Sequence, residues 1–143
     1  MKTNLKLFLL AIACLVFTDV TAQTCPRERL ENKIAETNKM LPVVAAKGVI
    51  YTQEYISGNS VYEVNEIDEN YVSLAELRMM KKKMKRTLLM QYSIESNLMA
   101  YARMIVECKM DIVVKYISKQ SGKSFSITLS NKDLLKCLNL ENV

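Results

Sequence analysis

SLAELRMMKKKMKRTLLMQYSIESNLMAYARMIVEC, residues 73–108, decides the architecture of this chain. Ser73 followed by Glu76 is a capping-box pattern: the serine accepts from the backbone N–H of Glu76 while the carboxylate reaches back. Neither Gly nor Pro occurs between Gly58 and Gly122, so the stretch is predicted to be helical. As one rod it would be about 50 Å long, against a diameter of roughly 35 Å for a compact domain of this size. A bend is therefore expected at Tyr92-Ser93-Ile94-Glu95-Ser96-Asn97, where Ser and Asn side chains compete for backbone hydrogen bonds. Beyond the bend, Ile94, Leu98, Tyr101 and Ile105 form a stripe suited to packing on a sheet. Before it, Leu74, Leu77, Met80, Met84 and Leu88 form a thinner stripe under a crown of lysines.

On either side of this helix the period is two. Val49, Tyr51 and Tyr55 alternate with Ile50, Thr52, Glu54 and Ile56; Ser57-Gly58-Asn59-Ser60 supplies turn chemistry, and residues 61–67 return. Downstream, Met110, Ile112, Val114 and Tyr116 alternate with Asp111, Val113, Lys115 and Ile117. A polar turn around Gly122 follows, and then a strand with Phe125, Ile127 and Leu129 on one face. Tyr55-Ile56-Ser57 matches Tyr116-Ile117-Ser118, and Tyr62 and Val64 fall against Phe125 and Ile127, which suggests an internal repeat of helix plus hairpin over 25–67 and 87–129. Pro26 suits the first position of an N-terminal helix with Leu30, Ile34 and Leu41 as its apolar edge. Pro42 ends that helix. Ser130 and Asp133 cap a short C-terminal one. The expectation is an α+β fold in the order αββαββα, with an antiparallel sheet of about four strands and the helices on one face.

Residues 1–22 read as a signal peptide: Lys2 and Lys6, an apolar core over 7–17, and Val20-Thr21-Ala22 before Gln23. Residues 23–143 are then the single exported domain, periplasmic or secreted. Lipoprotein processing at Cys14 is the weaker rival, because apolar residues continue past it to Phe17. Cleavage at Ala22 leaves Cys25, Cys108 and Cys137, enough for one bridge and one spare thiol in an oxidising compartment. All three pairings are open. Closure of the second hairpin favours Cys108 with Cys137, and the alternative is that all three are small buried hydrophobes.

The chain has no histidine and three glycines. This removes the usual serine and cysteine triads, imidazole metal sites and phosphate-cradling loops. No cofactor and no metal are expected, and the leading reading is a non-catalytic binding protein. A histidine-free enzyme would need two carboxylates, or a Lys of strongly shifted pKa, gathered in a pocket. Glu63, Glu66, Asp68 and Glu69 are the one local acidic cluster, and its plain reading is a solvated loop.

The net charge is +5, concentrated in the run 78–86. Arg78, Lys81, Lys82, Lys83, Lys85 and Arg86 form either a solvated helix face or a docking surface for an acidic protein or an anionic membrane. Nucleic acid is not expected, because no aromatic residue is interleaved in the run. Self-association through the long helix is a further option. The second candidate contact is the hairpin tip, Ser57, Gly58 and Asn59, which could plug an enzyme cleft. Gln53-Glu54-Tyr55-Ile56-Ser57-Gly58 resembles the Gln-x-Val-x-Gly hairpin of cystatin-type protease inhibitors. It is one residue longer, and the Pro-Trp second loop of that family is missing.

Overall fold

The computed structural model describes residues 25–139. The signal segment and Cys14 lie outside the described residues. Helix α1 (Arg27–Met40) leads to strands β1 (Val43–Ala46), β2 (Val49–Ser57) and β3 (Ser60–Ile67). Helices α2 (Leu74–Met79), α3 (Lys81–Ile94) and α4 (Ser96–Glu107) follow, then β4 (Asp111–Ser118), β5 (Ser124–Leu129) and α5 (Asn131–Cys137). The fold is α+β, with helices on one face of the sheet.

The sheet differs from the expected four antiparallel strands. It has five, in the order β1-β2-β3-β4-β5, and β3 pairs with β4 in parallel while the other neighbours are antiparallel. The parallel pair follows from the connection. Residues 68–110 carry the chain from the end of β3 back to its beginning, so that Asp111 enters beside Ser60. A helical crossover of that kind is what parallel neighbours require. Strand β1 is the addition: four exposed residues joined to β2 by a two-residue turn at Lys47-Gly48.

Gly48 sits at φ +78, and a Cβ there would come within 2.7 Å of the Tyr71 Cβ, while its carbonyl accepts from the Asp68 N–H at 2.9 Å. Gly48→Ala is therefore expected to lower stability by about 1–3 kcal/mol, read as a drop in the denaturation midpoint at unchanged m-value.

The long helical stretch breaks twice, at Met80 and at Glu95. Glu95 leaves the helical region (φ −81, ψ 120) and lies inside the expected segment. Just before it, the Ser93 hydroxyl donates back to the Met90 carbonyl at 2.8 Å, the competition anticipated for this serine. At the start of the stretch Ser73 Oγ accepts from the Glu76 N–H at 3.3 Å. Ser130 and Asp133 form the complete reciprocal box at the start of α5. Helix α1 stops at Met40 and Leu41 is extended before Pro42.

The core lies between the helices and one face of the sheet. Val61, Ile67, Ile112, Val114, Ile127 and Leu129 come from the strands and Leu30, Leu74, Ile105 and Leu134 from the helices, all at or near zero exposure. The opposite sheet face carries Ile50, Tyr55, Tyr62, Val113 and Lys115, with Tyr55 and Tyr62 stacked at 5.0 Å.

The bridge also differs from expectation. Cys25 pairs with Cys108, tying the entrance of α1 to the end of α4, and Cys137 is free. Cys108 is taken by Cys25, and the Cys137 thiol donates instead to the carbonyl of Leu134 within α5.

Candidate functional site

Two features of the helical layer stand apart from ordinary packing. One is the outer surface of α2 and α3; the other is a cleft behind them.

The basic run lies on the outside of the molecule. Lys81, Lys82, Lys83 and Arg86 are exposed and enter no ion pair among the described residues. Arg78 and Lys85 are committed internally. Arg78 Nη2 donates to the Ser124 carbonyl at 3.2 Å, and Lys85 Nζ lies 2.8 Å from Asp133 Oδ2. That pairing, together with the Ser130 hydrogen bonds, lowers the Asp133 pKa to about 2. The six cations thus divide into two that hold α2 and α3 against β5 and α5, and four that face solvent.

Between and beside the free cations are exposed apolar side chains: Met79 (79% exposed), Met80, Met90 and Ile94. Residues 80, 83, 84, 87, 88 and 91 recur at helical spacing and form one wall of a groove of about 390 Å³ whose floor is Tyr116 on β4. Met80, Met84 and Leu88 make its apolar lining, Lys83 its cationic rim.

Leu88 and Gln91 are shared with the second feature, a cleft of about 240 Å³ lined by residues of α1, β2, β3, α3 and α4. Glu54 and Glu63 are direct cross-strand partners there, on the helix-covered face. Glu54 is only 3% exposed. It accepts the hydroxyl of Tyr101 from α4, and Glu63 accepts that of Tyr92 from α3. Asn38 on α1 grips the same strand: its amide donates to the Glu54 carbonyl at 2.7 Å and its oxygen accepts the Glu54 N–H at 2.9 Å. Burial, and next the neighbouring Glu63, raise the Glu54 pKa to about 7 against the opposing hydrogen bonds and Lys33. Burial raises Glu63 as well. Burial and the carboxylates hold the Tyr51 and Tyr92 hydroxyls firmly protonated.

This carboxylate pair is absent from the sequence reading, which grouped Glu63 with Glu66, Asp68 and Glu69. The structure disperses that group. Glu66 is on the open face of the sheet, whereas Asp68 closes a loop, accepting from Asn70 N–H and from Gln120 Nε2 at 2.6 Å. No group of three or more Cys, Asp or Glu residues converges as metal ligands among the described residues. The signal for the true pair was available. A two-residue turn at Gly58-Asn59 pairs Ser57 with Ser60 and hence Glu54 with Glu63. A bulge at Thr52 then brings Tyr51 onto the same face as Glu54, and that irregularity concealed the face from a strict alternation.

The hairpin tip is placed differently from a free plug. Ser57, Gly58 and Asn59 are exposed, but the Asn59 carbonyl accepts the Asp111 N–H at 3.1 Å and its amide donates to the Lys109 carbonyl at 3.3 Å. In the stretch resembling the cystatin hairpin, Glu54 points under the helices.

No family model and no curated protein sequence matches the chain. Two solved structures share its fold. A Pseudomonas aeruginosa protein assigned as secreted superposes with a TM-score of 0.62 at 8% identity, covering 75% of this chain and 90% of its own. The pilotin of the Vibrio vulnificus type 2 secretion system gives 0.52 at 11% identity, covering 74% and 88%. At such identities the likeness is one of fold.

Proposed function

We propose that the chain is a non-catalytic exported binding protein that seats an acidic, amphipathic segment of a protein partner against α2 and α3. The observation that carries this reading is the set of unpaired cations, Lys81, Lys82, Lys83 and Arg86, beside exposed methionines and an apolar groove. Such a surface matches apolar anchors at helical spacing with carboxylates alongside them. Methionine lets the wall adapt to the anchors. The signal-like segment at residues 1–22 and a bridge between Cys25 and Cys108 support export. A fold shared with a pilotin supports an interaction role in secretion over a catalytic one.

The test is a peptide of about 18 residues (five helical turns) with Leu on one face and Glu on the other. Wild-type protein should bind it at low salt and lose it as salt rises. Changing Lys81, Lys82, Lys83 and Arg86 together to Gln should weaken binding by about tenfold or more with little change in melting temperature. Lys85→Gln should instead lower the melting temperature, since it breaks the contact with Asp133. Substitutions at Ser57, Gly58 and Asn59 should leave binding intact. Undiminished binding by the quadruple variant would reject the surface, and binding of anionic vesicles but not of the peptide would reassign it to membrane.

A further inference from the structure

We infer that the cleft between the sheet and helices α1, α3 and α4 is a receptor for a single organic cation, an alkylammonium or guanidinium group. This inference goes beyond the α2–α3 surface and does not depend on it. Three observations carry it. Glu54 and Glu63 stand directly opposite each other across β2 and β3, an arrangement that opposes folding when both are ionised, and neither takes part in an ion pair among the described residues. Glu54 is 97% buried, counted from its 3% exposure, yet it lines the cleft. Ionising a carboxyl buried without an ion-pair partner is expensive, and a cation arriving in the cleft offsets that expense.

The walls fit the same class of ligand. Tyr51, Tyr92 and Tyr101 line the cleft. Tyr92 and Tyr101 give their hydroxyls to the two carboxylates, which leaves the rings as an aromatic surface beside the negative charge. Aromatic rings together with carboxylate are the chemistry that receives ammonium and guanidinium groups. The volume of about 240 Å³ lies below the range of pockets for drug-sized ligands and suits a group the size of one side chain. A divalent metal fits poorly, because only two carboxylates converge. Lys33 also lines the cleft and lowers the Glu54 pKa from a distance, but its ion pair is with Glu36 at 3.9 Å and not with either cleft carboxylate.

Agmatine, which carries both an ammonium and a guanidinium group, is the probe, with n-pentanol as its neutral counterpart and calcium as the metal control. Calorimetry and tyrosine ring resonances should show wild-type protein binding agmatine and not pentanol. Glu54→Gln and Glu63→Gln should each weaken agmatine binding about tenfold or more, as the loss of a charged partner does. The Lys81, Lys82, Lys83 and Arg86 quadruple variant should bind agmatine as wild type does, so the two proposals fail separately. Melting curves check that each variant is folded; Glu54→Gln keeps the shape of the side chain and carries the test should Glu63→Gln not fold. No agmatine binding, equal binding by the folded Gln variants, or tighter binding of calcium than of agmatine would each overturn the inference.

Discussion

Cys108→Ser is expected to lower the stability of the domain by about 4–5 kcal/mol, the loop-closure value for a bridge of this span, while Cys137→Ser leaves it nearly unchanged. The bridge joins residues 83 apart in sequence and therefore restricts most of the unfolded chain. It also fastens α1, whose own hold on the molecule is narrow: only Leu30 and Ile34 are buried along its length. Without the bridge α1 is kept by those two side chains and by the pairing of Asn38 with the backbone of Glu54. Denaturant unfolding of the oxidised protein, the reduced protein and the two variants checks this. Equal losses at Cys108 and Cys137 would reinstate the Cys108–Cys137 pairing expected from sequence, and a loss at neither would show that the thiols act only as small buried groups.

Glu54→Gln is expected to raise stability above pH 7 and to leave it nearly unchanged below pH 4.5. The sign follows from the direction of the shift. Burial and Glu63 raise the Glu54 pKa from 4.5 to about 7, so the folded state holds a proton that the unfolded state releases. Stability contributed by that proton is complete below 4.5 and is lost as pH rises through about 7. The shift corresponds to about 3 kcal/mol for this almost fully buried group. Glutamine keeps an acceptor for the Tyr101 hydroxyl and removes the charge. The measurement is the melting temperature from pH 4 to pH 8 for both proteins. A wild-type curve that falls across that window and a flatter variant curve are expected; parallel curves would mean that folding does not raise the Glu54 pKa.

Much of the fold was legible because local chemistry and tertiary packing agree. Ser73, Ser130 and Asp133 cap where their side chains can reach the orphan N–H groups. Pro42 ends α1, and Ser93 marks the break before Glu95. Strand β1 was missed because its four residues are all exposed and leave no alternation to detect. The direction of β4 was not legible because a connection of that length can deliver the chain to either end of the neighbouring strand. Matching Tyr55 with Tyr116 shows how chemical similarity separates from position: Tyr55 is on the open face of the sheet and Tyr116 faces the helices.

The candidate sites divide in the same way. A dense basic run is visible in any sequence, and its exposure follows from the cost of burying charge. Which cations remain free is a tertiary property, since Arg78 and Lys85 are occupied by Ser124 and Asp133 from the far end of the chain. The cleft needed the pairing of β2 with β3, the bulge at Thr52 and the delivery of Tyr92 and Tyr101 by two separate helices. Only the first of these is encoded locally, in the Gly58-Asn59 turn.

The most direct measurement of the binding surface is the methyl spectrum of the eight methionines that follow residue 22 during titration with the acidic amphipathic peptide at low salt. Shifts at Met79, Met80, Met84 and Met90, with Met104 and Met110 unmoved, are the expected result. Shifts restricted to Met104 and Met110, or no shift at any methionine, would contradict the assignment of α2 and α3 as the contact face.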